Sequence, residues 1–132
     1  MANTSHASGS ILLLDSDPLT RSIFQEALQR AGHVVMATPD VGTAVDRLKM
    51  WRPDLLIVRP YINSMTGAMA AKYLRTRCPG LAVLIVDGYM NDDRVHVQTA
   101  GHEFSIFPKP FESGELLDKV KEVLRAAHAK AH

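Results

Sequence analysis

Short apolar runs alternate with amphipathic segments along most of this chain. The runs have the length of β-strands and are apolar throughout, which is typical of strands buried on both faces of a parallel sheet. Between them, apolar residues recur every three or four positions, the spacing of a helix with one buried face. The predicted strands cover residues 11–14, 34–36, 55–58, 81–86 and 104–107. The predicted helices begin at Pro18, Asp40, Gly67, Asn91 and Ser113.

The predicted helices carry residues that normally begin or end a helix. Asp17 offers a capping carboxylate ahead of Pro18, whose fixed backbone angle suits a first helical position. Gly32 would end the first helix. The helical faces predict core residues, which are Leu19, Ile23, Phe24, Ala27, Leu28 and Ala31 in the first helix and Met69, Ala70, Tyr73 and Leu74 in the third.

Strict alternation of strand and helix predicts a doubly wound α/β fold, in which a five-stranded parallel sheet carries helices on both faces. Right-handed crossovers leave few strand orders, and the common one is the flavodoxin-like order 2-1-3-4-5. We predict one domain over residues 10–127, with a disordered lead-in at 1–9 and a frayed tail at 128–132.

Composition narrows the class of protein. Of the 132 residues, 46% are hydrophobic, and no segment approaches the roughly 20 apolar residues that a membrane helix needs. The formal charge of +1 favours neither a nucleic-acid partner nor a membrane partner. The single cysteine, Cys78, cannot form an internal disulfide, which fits a reducing compartment, and we expect a cytoplasmic protein.

Polar residues follow four of the predicted strands. In a sheet of this kind, ligands bind outside the carboxyl ends of the strands, near the switch in strand order. These positions hold Asp15, Ser16 and Asp17 after the first strand, Arg59 after the third, Asp87 after the fourth, and Lys109 and Pro110 after the fifth. Four loops therefore converge on one candidate site.

With these motifs the chain resembles the CheY-like receiver domain of bacterial two-component response regulators. The segments that carry the resemblance are ILLLDSDP (11–18), RPDLLIVRPYINSMTG (52–67), AVLIVDG (82–88) and FPKPF (107–111). In that family the first segment usually ends in paired acids that hold Mg²⁺, and the second carries an aspartate that accepts phosphate from a histidine kinase. The third ends in a switching hydroxyl, and the fourth supplies a lysine before a cis proline.

The resemblance assigns a position in this chain to each of those roles but changes the chemistry of several. Asp15, Ser16 and Asp17 stand for the acidic pocket, although Ser16 occupies the place of the usual second acid. The other equivalents are Arg59 for the phosphate acceptor, Asp87 for the hydroxyl, Lys109 for the lysine, Pro110 for the cis proline, and Phe104 or Ile106 for the switch aromatic.

Arginine at the acceptor position changes what the pocket can do. A guanidinium cannot form an acyl phosphate, and it stays charged at physiological pH. Asp15 and Asp87 would face Arg59 and Lys109, a pocket near neutrality where an ordinary receiver is clearly negative. We therefore predict a pocket that is not phosphorylated at position 59 and that binds Mg²⁺ weakly or not at all, so that no cofactor is needed. A salt bridge from Arg59 to Asp87 or Asp15 would replace the metal and phosphate.

We therefore expect a stand-alone, degenerate pseudo-receiver that is not an enzyme and acts through protein contact. Candidate partners are a histidine kinase, another signalling protein, or a second copy bound through the face of the fourth helix, fifth strand and fifth helix. One alternative is a phosphorylatable receiver that uses Asp87 or Asp17 as the acceptor. A second is a flavodoxin-like binder of a small ligand such as a flavin, which the lack of a glycine-rich loop after the first strand disfavours.

Overall fold

The computed structural model describes residues 9–88, 105–108 and 113–131, and within them the side chains of residues 9–86 and 117–126. The strands of its main sheet are β1 (Ser10–Leu14), β2 (Val34–Thr38), β3 (Leu55–Val58), β6 (Ala82–Gly88) and β7 (Ser105–Pro108). The helices are α1 (Pro18–Arg30), α2 (Val41–Leu48), α3 (Gly67–Arg77) and the C-terminal helix α4 (Ser113–Ala131). Two short strands, β4 (Tyr61–Ile62) and β5 (Met65–Thr66), lie between β3 and α3.

The main sheet has the predicted strand order. Its five strands run β2-β1-β3-β6-β7, and every neighbouring pair is parallel. Leu12 of β1, for example, lies opposite Met36 of β2 on one side and Leu56 of β3 on the other. Counted along the chain, these strands form the order 2-1-3-4-5, so the prediction of a doubly wound, flavodoxin-like α/β fold is confirmed.

Helices cover both faces of the sheet, and each face has its own hydrophobic core. Successive side chains of a strand point to opposite faces. Leu12 and Leu14 therefore pack with α2 and α3, whereas Ile11 and Leu13 pack with α1 and α4. This two-sided burial explains why β1 and β3 are apolar at consecutive positions rather than at alternate ones.

The predicted helix boundaries at α1 and α2 have the expected local chemistry. The Asp17 carboxylate accepts a hydrogen bond from the Thr20 amide at 2.9 Å, and Asp40 accepts one from the Thr43 amide at 2.7 Å. Each bond satisfies an amide of the first turn that has no partner within the helix. Gly32 follows α1 with a φ of 97°, a backbone angle that side chains disfavour, so a glycine ends the helix as predicted.

Four of the predicted core residues are exposed instead. Leu19 and Ile23 on α1 are 70% and 55% exposed, and Met69 and Tyr73 on α3 are 50% and 43% exposed. Each residue turns the helix by about 100°, so Leu19 lies about 140° around α1 from Phe24, which is buried. On α3, small residues such as Ala70 and Ala71 supply the buried face, and Met69 and Tyr73 each lie about 160° around the helix from Ala71.

The later part of the chain agrees with the prediction where the structure describes it. Strand β7 lies one residue later than the predicted strand at 104–107, and β6 begins at Ala82 and continues to Gly88. The last helix begins at Ser113, buries Val120 and Leu124, and continues to Ala131, past the predicted domain end at residue 127. The predicted helix from Asn91 to Ala100 lies outside the described residues.

A small β-hairpin between β3 and α3 was not predicted. Tyr61 pairs with Thr66, and Ile62 with Met65, around a turn formed by Asn63 and Ser64. Asn63 has a φ of 55°, in the left-handed region that asparagine tolerates better than most residues. Ile62 is fully buried and anchors the hairpin in the core below α3.

In the part of the chain that the structure describes, no helix has both the length and the apolar character needed to cross a membrane.

Candidate functional site

The site lies at the carboxyl end of β1, where the chain places an aspartate in the protein interior. The Asp15 amide donates to the Thr38 carbonyl at 3.1 Å, which extends the pairing of β1 and β2 by one residue. Asp15 is only 1% exposed. One of its carboxylate oxygens, Oδ1, accepts a hydrogen bond from the Asp17 amide at 2.9 Å. A carboxylate this deeply buried needs partners for its charge.

Arg59 supplies a charged partner for the other carboxylate oxygen. It follows β3, whose last residue, Val58, lies opposite Leu14 of β1. The next residue of each strand therefore reaches the same edge of the sheet. Arg59 Nη1 lies 3.3 Å from Asp15 Oδ2, and 26% of the Arg59 side chain is exposed. The salt bridge expected from Arg59 to Asp15 or Asp87 is therefore present with Asp15.

A second guanidinium, which sequence reasoning did not single out, also contacts Asp15. Arg21 Nη1 donates to the Asp15 backbone carbonyl at 2.8 Å. Arg21 lies four residues after the capping residue Asp17 in α1, so it is on the turn of the helix nearest the site. That spacing is the sequence signal that could have identified it.

The other two residues of the predicted acidic pocket are exposed at the surface, and one has a local structural role. Asp17 accepts hydrogen bonds from both the hydroxyl and the amide of Thr20, and these bonds lower the pKa of the Asp17 carboxyl, with smaller contributions from the charges of Arg59 and Arg21. Ser16 is exposed beside it. Asp17 is therefore engaged in capping α1, as its position before Pro18 suggested.

The backbone below Arg59 is held by the first residue of α3. The Gly67 amide donates to the Pro60 carbonyl at 2.6 Å. A β-carbon on Gly67 would lie 2.1 Å from the Arg59 carbonyl oxygen, so only glycine fits at this contact. The hairpin of β4 and β5 thus returns the chain to the point where Arg59 leaves β3.

The remaining predicted site residues are described partly or not at all. Asp87 lies in β6 and Ile106 in β7, where Ile106 is paired with Ile85, and only their backbones are described. Phe104, Lys109 and Pro110 lie outside the described residues. Their predicted roles stay predictions.

The described part of the site is close to electrical neutrality. Asp15 and Asp17 are set against Arg21 and Arg59, with Asp15 enclosed by its partners. Within the described side chains, no group of three His, Cys, Asp or Glu residues is placed to hold a metal ion. The arrangement can bind a charge or fix a loop, and Arg59 offers no carboxylate that could accept a phosphoryl group.

Comparison with known proteins finds relatives among bacterial regulatory proteins. Over 117 residues the chain is 26% identical to the probable transcriptional regulatory protein TcrX of Mycobacterium tuberculosis, covering 88% of this chain and 50% of that protein. It is 28% identical over 116 residues to the two-component response regulator PhoP of Pseudomonas aeruginosa, covering 87% of this chain and 51% of that protein. The chain thus spans about half the length of these curated relatives.

Solved structures with the same fold and a matching family model agree with these sequence relatives. A CheY-like response regulator receiver domain protein from Methanospirillum hungatei shares the fold with a TM-score of 0.81 at 20% identity, covering 92% of this chain and 97% of that one. NtrX from Brucella abortus has a TM-score of 0.84 at 18% identity, covering 94% of this chain and 29% of that one. The family model described as the response regulator receiver domain matches residues 11–121. This chain therefore belongs to the response regulator receiver domain family of two-component signalling proteins.

Proposed function

We propose that this receiver domain signals through protein contact and is not phosphorylated at position 59. The observation that carries the proposal is the ion pair between Arg59 and the buried Asp15. It joins the ends of β1 and β3, which is where the family's metal and phosphoryl group would act. The domain is then a pseudo-receiver in which a permanent internal contact replaces a reversible one.

The chemistry of the acceptor position supports the absence of phosphorylation at position 59. Phosphoryl transfer to a receiver needs a carboxylate nucleophile, and the Arg59 side chain has none. Asp17, one of the two alternative acceptors, already accepts two hydrogen bonds from Thr20 as the cap of α1. Phosphorylation of Asp17 would have to break this cap.

The residues present do not fit the Mg²⁺ ion that the family usually binds. Magnesium requires several oxygen ligands in octahedral geometry. Both carboxylate oxygens of Asp15 already accept hydrogen bonds. The next position, where the family usually has a second acid, is occupied by Ser16. Arg59 adds a fixed positive charge, and two like charges about 4 Å apart repel by roughly 4 kcal/mol per pair of unit charges at an effective dielectric constant of 20. We therefore assign no metal-dependent step to this domain.

Contact with a partner is the route to an output that we propose. Leu19 and Ile23 are exposed one turn apart on α1, which begins next to the Asp15 pocket. A histidine kinase or another signalling protein is the candidate partner for this cytoplasmic domain, and a second copy is the other candidate. We assign neither catalysis nor nucleic-acid or membrane binding to the domain.

Treatment with a small phosphodonor tests the proposal directly. The native chain is incubated with acetyl phosphate and Mg²⁺, and its intact mass is measured by mass spectrometry. We expect no added phosphoryl group. A gain of one phosphoryl group on Asp17 or Asp87 would show that the domain is a phosphorylatable receiver and overturn the proposal.

Restoring the acid tests whether Arg59 is what excludes the metal. Mg²⁺ binding is measured by calorimetry rather than by tryptophan fluorescence. The single tryptophan, Trp51, lies before β3, at the opposite end of that strand from Arg59, and is a poor reporter of the site. We expect heat of binding for Arg59→Asp and none for the native chain. Arg52→Asp is the matched control, since Arg52 is exposed at that opposite end and the change in charge is the same. Binding by both variants would point to general electrostatics instead.

A further inference from the structure

The outward face of α3 carries a stripe of exposed side chains that the core does not use. Met69, Tyr73 and Arg77 follow each other at intervals of four residues, so they lie one above another along the helix. We call these three residues the α3 stripe. Met69 is 50% exposed and Tyr73 is 43% exposed, while the opposite side of α3 is buried against the sheet. Two large apolar side chains thus lie in water on one helix face.

The aromatic ring of the stripe is held in place. Arg77 Nη2 donates to the Tyr73 hydroxyl at 3.1 Å, and the Arg77 guanidinium carbon lies 5.4 Å from the centre of the Tyr73 ring. This distance is within the range of a cation–π interaction. A side chain that is ordered before contact loses less conformational entropy when a partner binds. Tyr73 therefore has the character of a preorganised anchor.

The helix that carries the stripe has charged residues of one sign only. Residues 55–86 contain no Asp or Glu, whereas α3 alone carries Lys72, Arg75 and Arg77. Over residues 41–86, which include the neighbouring helix α2, seven Lys and Arg residues stand against two carboxylates, a net +5. The rest of the chain has eight cations and twelve carboxylates, a net −4. The nearly neutral total therefore hides a basic segment of the chain, and the α3 stripe lies in it.

We propose that the α3 stripe docks an acidic amphipathic helix of another protein. Met69 and Tyr73 would contact apolar residues of that helix, and Lys72 and Arg77 would face carboxylates at its borders. An apolar centre with a charged rim is the usual arrangement of a protein interface. The proposal concerns a different face from the Arg59 pocket and does not rest on the proposed function.

Two other occupants fit the surface less well. A second copy of this chain, related by a two-fold axis, would bring two basic α3 faces together, and like charges across an interface are unfavourable. Nucleic acid is bound mainly through cations that reach phosphates. Here the centre of the face is apolar, formed by Met69 and Tyr73, and the Arg75 guanidinium already donates to the Leu81 carbonyl at 2.8 Å.

The test uses a synthetic helical peptide of about 18 residues, with leucines on one face and glutamates on both sides of it. Its affinity for the intact chain is measured by fluorescence anisotropy, beside a peptide with lysine at every glutamate. We expect the native chain to bind the acidic peptide and not the lysine peptide. The affinity for the acidic peptide should fall by at least about tenfold in Met69→Ser/Tyr73→Ser. Val34→Ser is the control, because Val34 is an apolar residue that is 62% exposed on the edge strand β2 and that no proposed contact uses. It should change the affinity by less than about twofold.

A measurement on the unmodified chain guards against unfolded variants. Amide chemical shifts recorded during the peptide titration should change on α3 and not on α1. The proposal is overturned if the acidic peptide does not bind at about 1 mM, if the shifts move on α1, or if Met69→Ser/Tyr73→Ser binds as the native chain does. Binding of a DNA duplex, or self-association, that is lost in that variant while the peptide fails to bind would assign the face to the other occupants.

Discussion

Gly67 packs against the backbone of Arg59 so closely that a β-carbon at Gly67 would lie 2.1 Å from the Arg59 carbonyl oxygen. The Gly67 amide also donates to the Pro60 carbonyl at 2.6 Å. The start of α3 is therefore seated on the loop that carries the guanidinium. This contact sets the backbone position from which Arg59 reaches Asp15.

Substitution of Gly67 by alanine should destabilise the fold, because real β-carbons do not approach a backbone oxygen so closely. We expect Gly67→Ala to lower the free energy of unfolding by at least about 1–3 kcal/mol, measured by urea denaturation. Gly42→Ala is the control, since its β-carbon would meet only Asp40 Oδ1 at 3.5 Å. In the first turn of α2 it should be neutral or stabilising by up to about 1 kcal/mol. Equal effects of the two substitutions would contradict the close contact.

Removal of the Arg59 side chain should leave the Asp15 charge buried with one partner fewer. We expect Arg59→Ala to destabilise the protein by about 1–3 kcal/mol, less than for a fully buried pair because Arg59 is partly exposed. Arg47→Ala, an exposed arginine on α2, should change the stability by less than about 0.5 kcal/mol. A double-mutant cycle with Asp15→Asn measures the pair itself. Strictly additive effects would argue against the ion pair.

His33 should make the fold sensitive to mild acid. It is 5% exposed, its Nδ1 accepts a hydrogen bond from the Gly9 amide at 3.2 Å, and its Nε2 has no hydrogen-bond partner among the described residues. Burial lowers the pKa of His33 below its usual 6.5, and the charge of Lys121 lowers it further. The unfolded chain therefore takes up a proton first as the pH falls through about 6.5, so stability is lost below that pH.

The pH effect can be assigned to His33 by comparing two proteins. Urea denaturation of the native chain and of His33→Gln is measured at about pH 7.5 and about pH 5.5. The other five histidines are common to both proteins. We expect the native chain to lose more stability between the two pH values than the variant does. The same loss in both would mean that His33 does not titrate in this range.

The hairpin turn should tolerate glycine at position 63 better than alanine. The φ of Asn63 is 55°, and a β-carbon without a polar group makes this conformation unfavourable by about 1–2 kcal/mol. We expect Asn63→Ala to lower the melting temperature and Asn63→Gly to leave it nearly unchanged. Ser64→Ala, at the neighbouring turn position, should have little effect. A native-like Asn63→Ala would indicate a different turn.

The sequence allowed the sheet to be predicted because its strands have few alternatives. Residues 55–58 are four apolar residues between Asp54 and Arg59, and β3 has these bounds in the structure. The buried faces of the helices were harder to predict. Leu19 and Tyr73 fit a helical period, but a folded protein leaves many apolar residues at its surface, so periodicity alone assigns too many to the core. The hairpin at Asn63 has strands of two residues, too short for a pattern.

Part of the site followed from topology. Leu14 and Val58 are opposite each other in neighbouring parallel strands, so the next residues, Asp15 and Arg59, had to come close. The choice between Asp15 and Asp87 as partner could not be made, because β3 has β1 on one side and β6 on the other. Arg21 was missed because a long side chain on a helix can reach a backbone carbonyl that no strand pattern indicates.

The burial of Asp15 also bears on how a domain of this kind could change over generations. If an aspartate replaced Arg59 alone, it would set a second carboxylate beside one that is 1% exposed and remove its cation. Such a revertant would be less stable whenever Mg²⁺ did not occupy the site, and Ser16 stands where the family usually has a further acid to hold that ion. Under the proposed function, a single substitution can remove the phosphate acceptor, whereas its recovery requires more than one. Descendants of this protein would then be expected to diversify as pseudo-receivers.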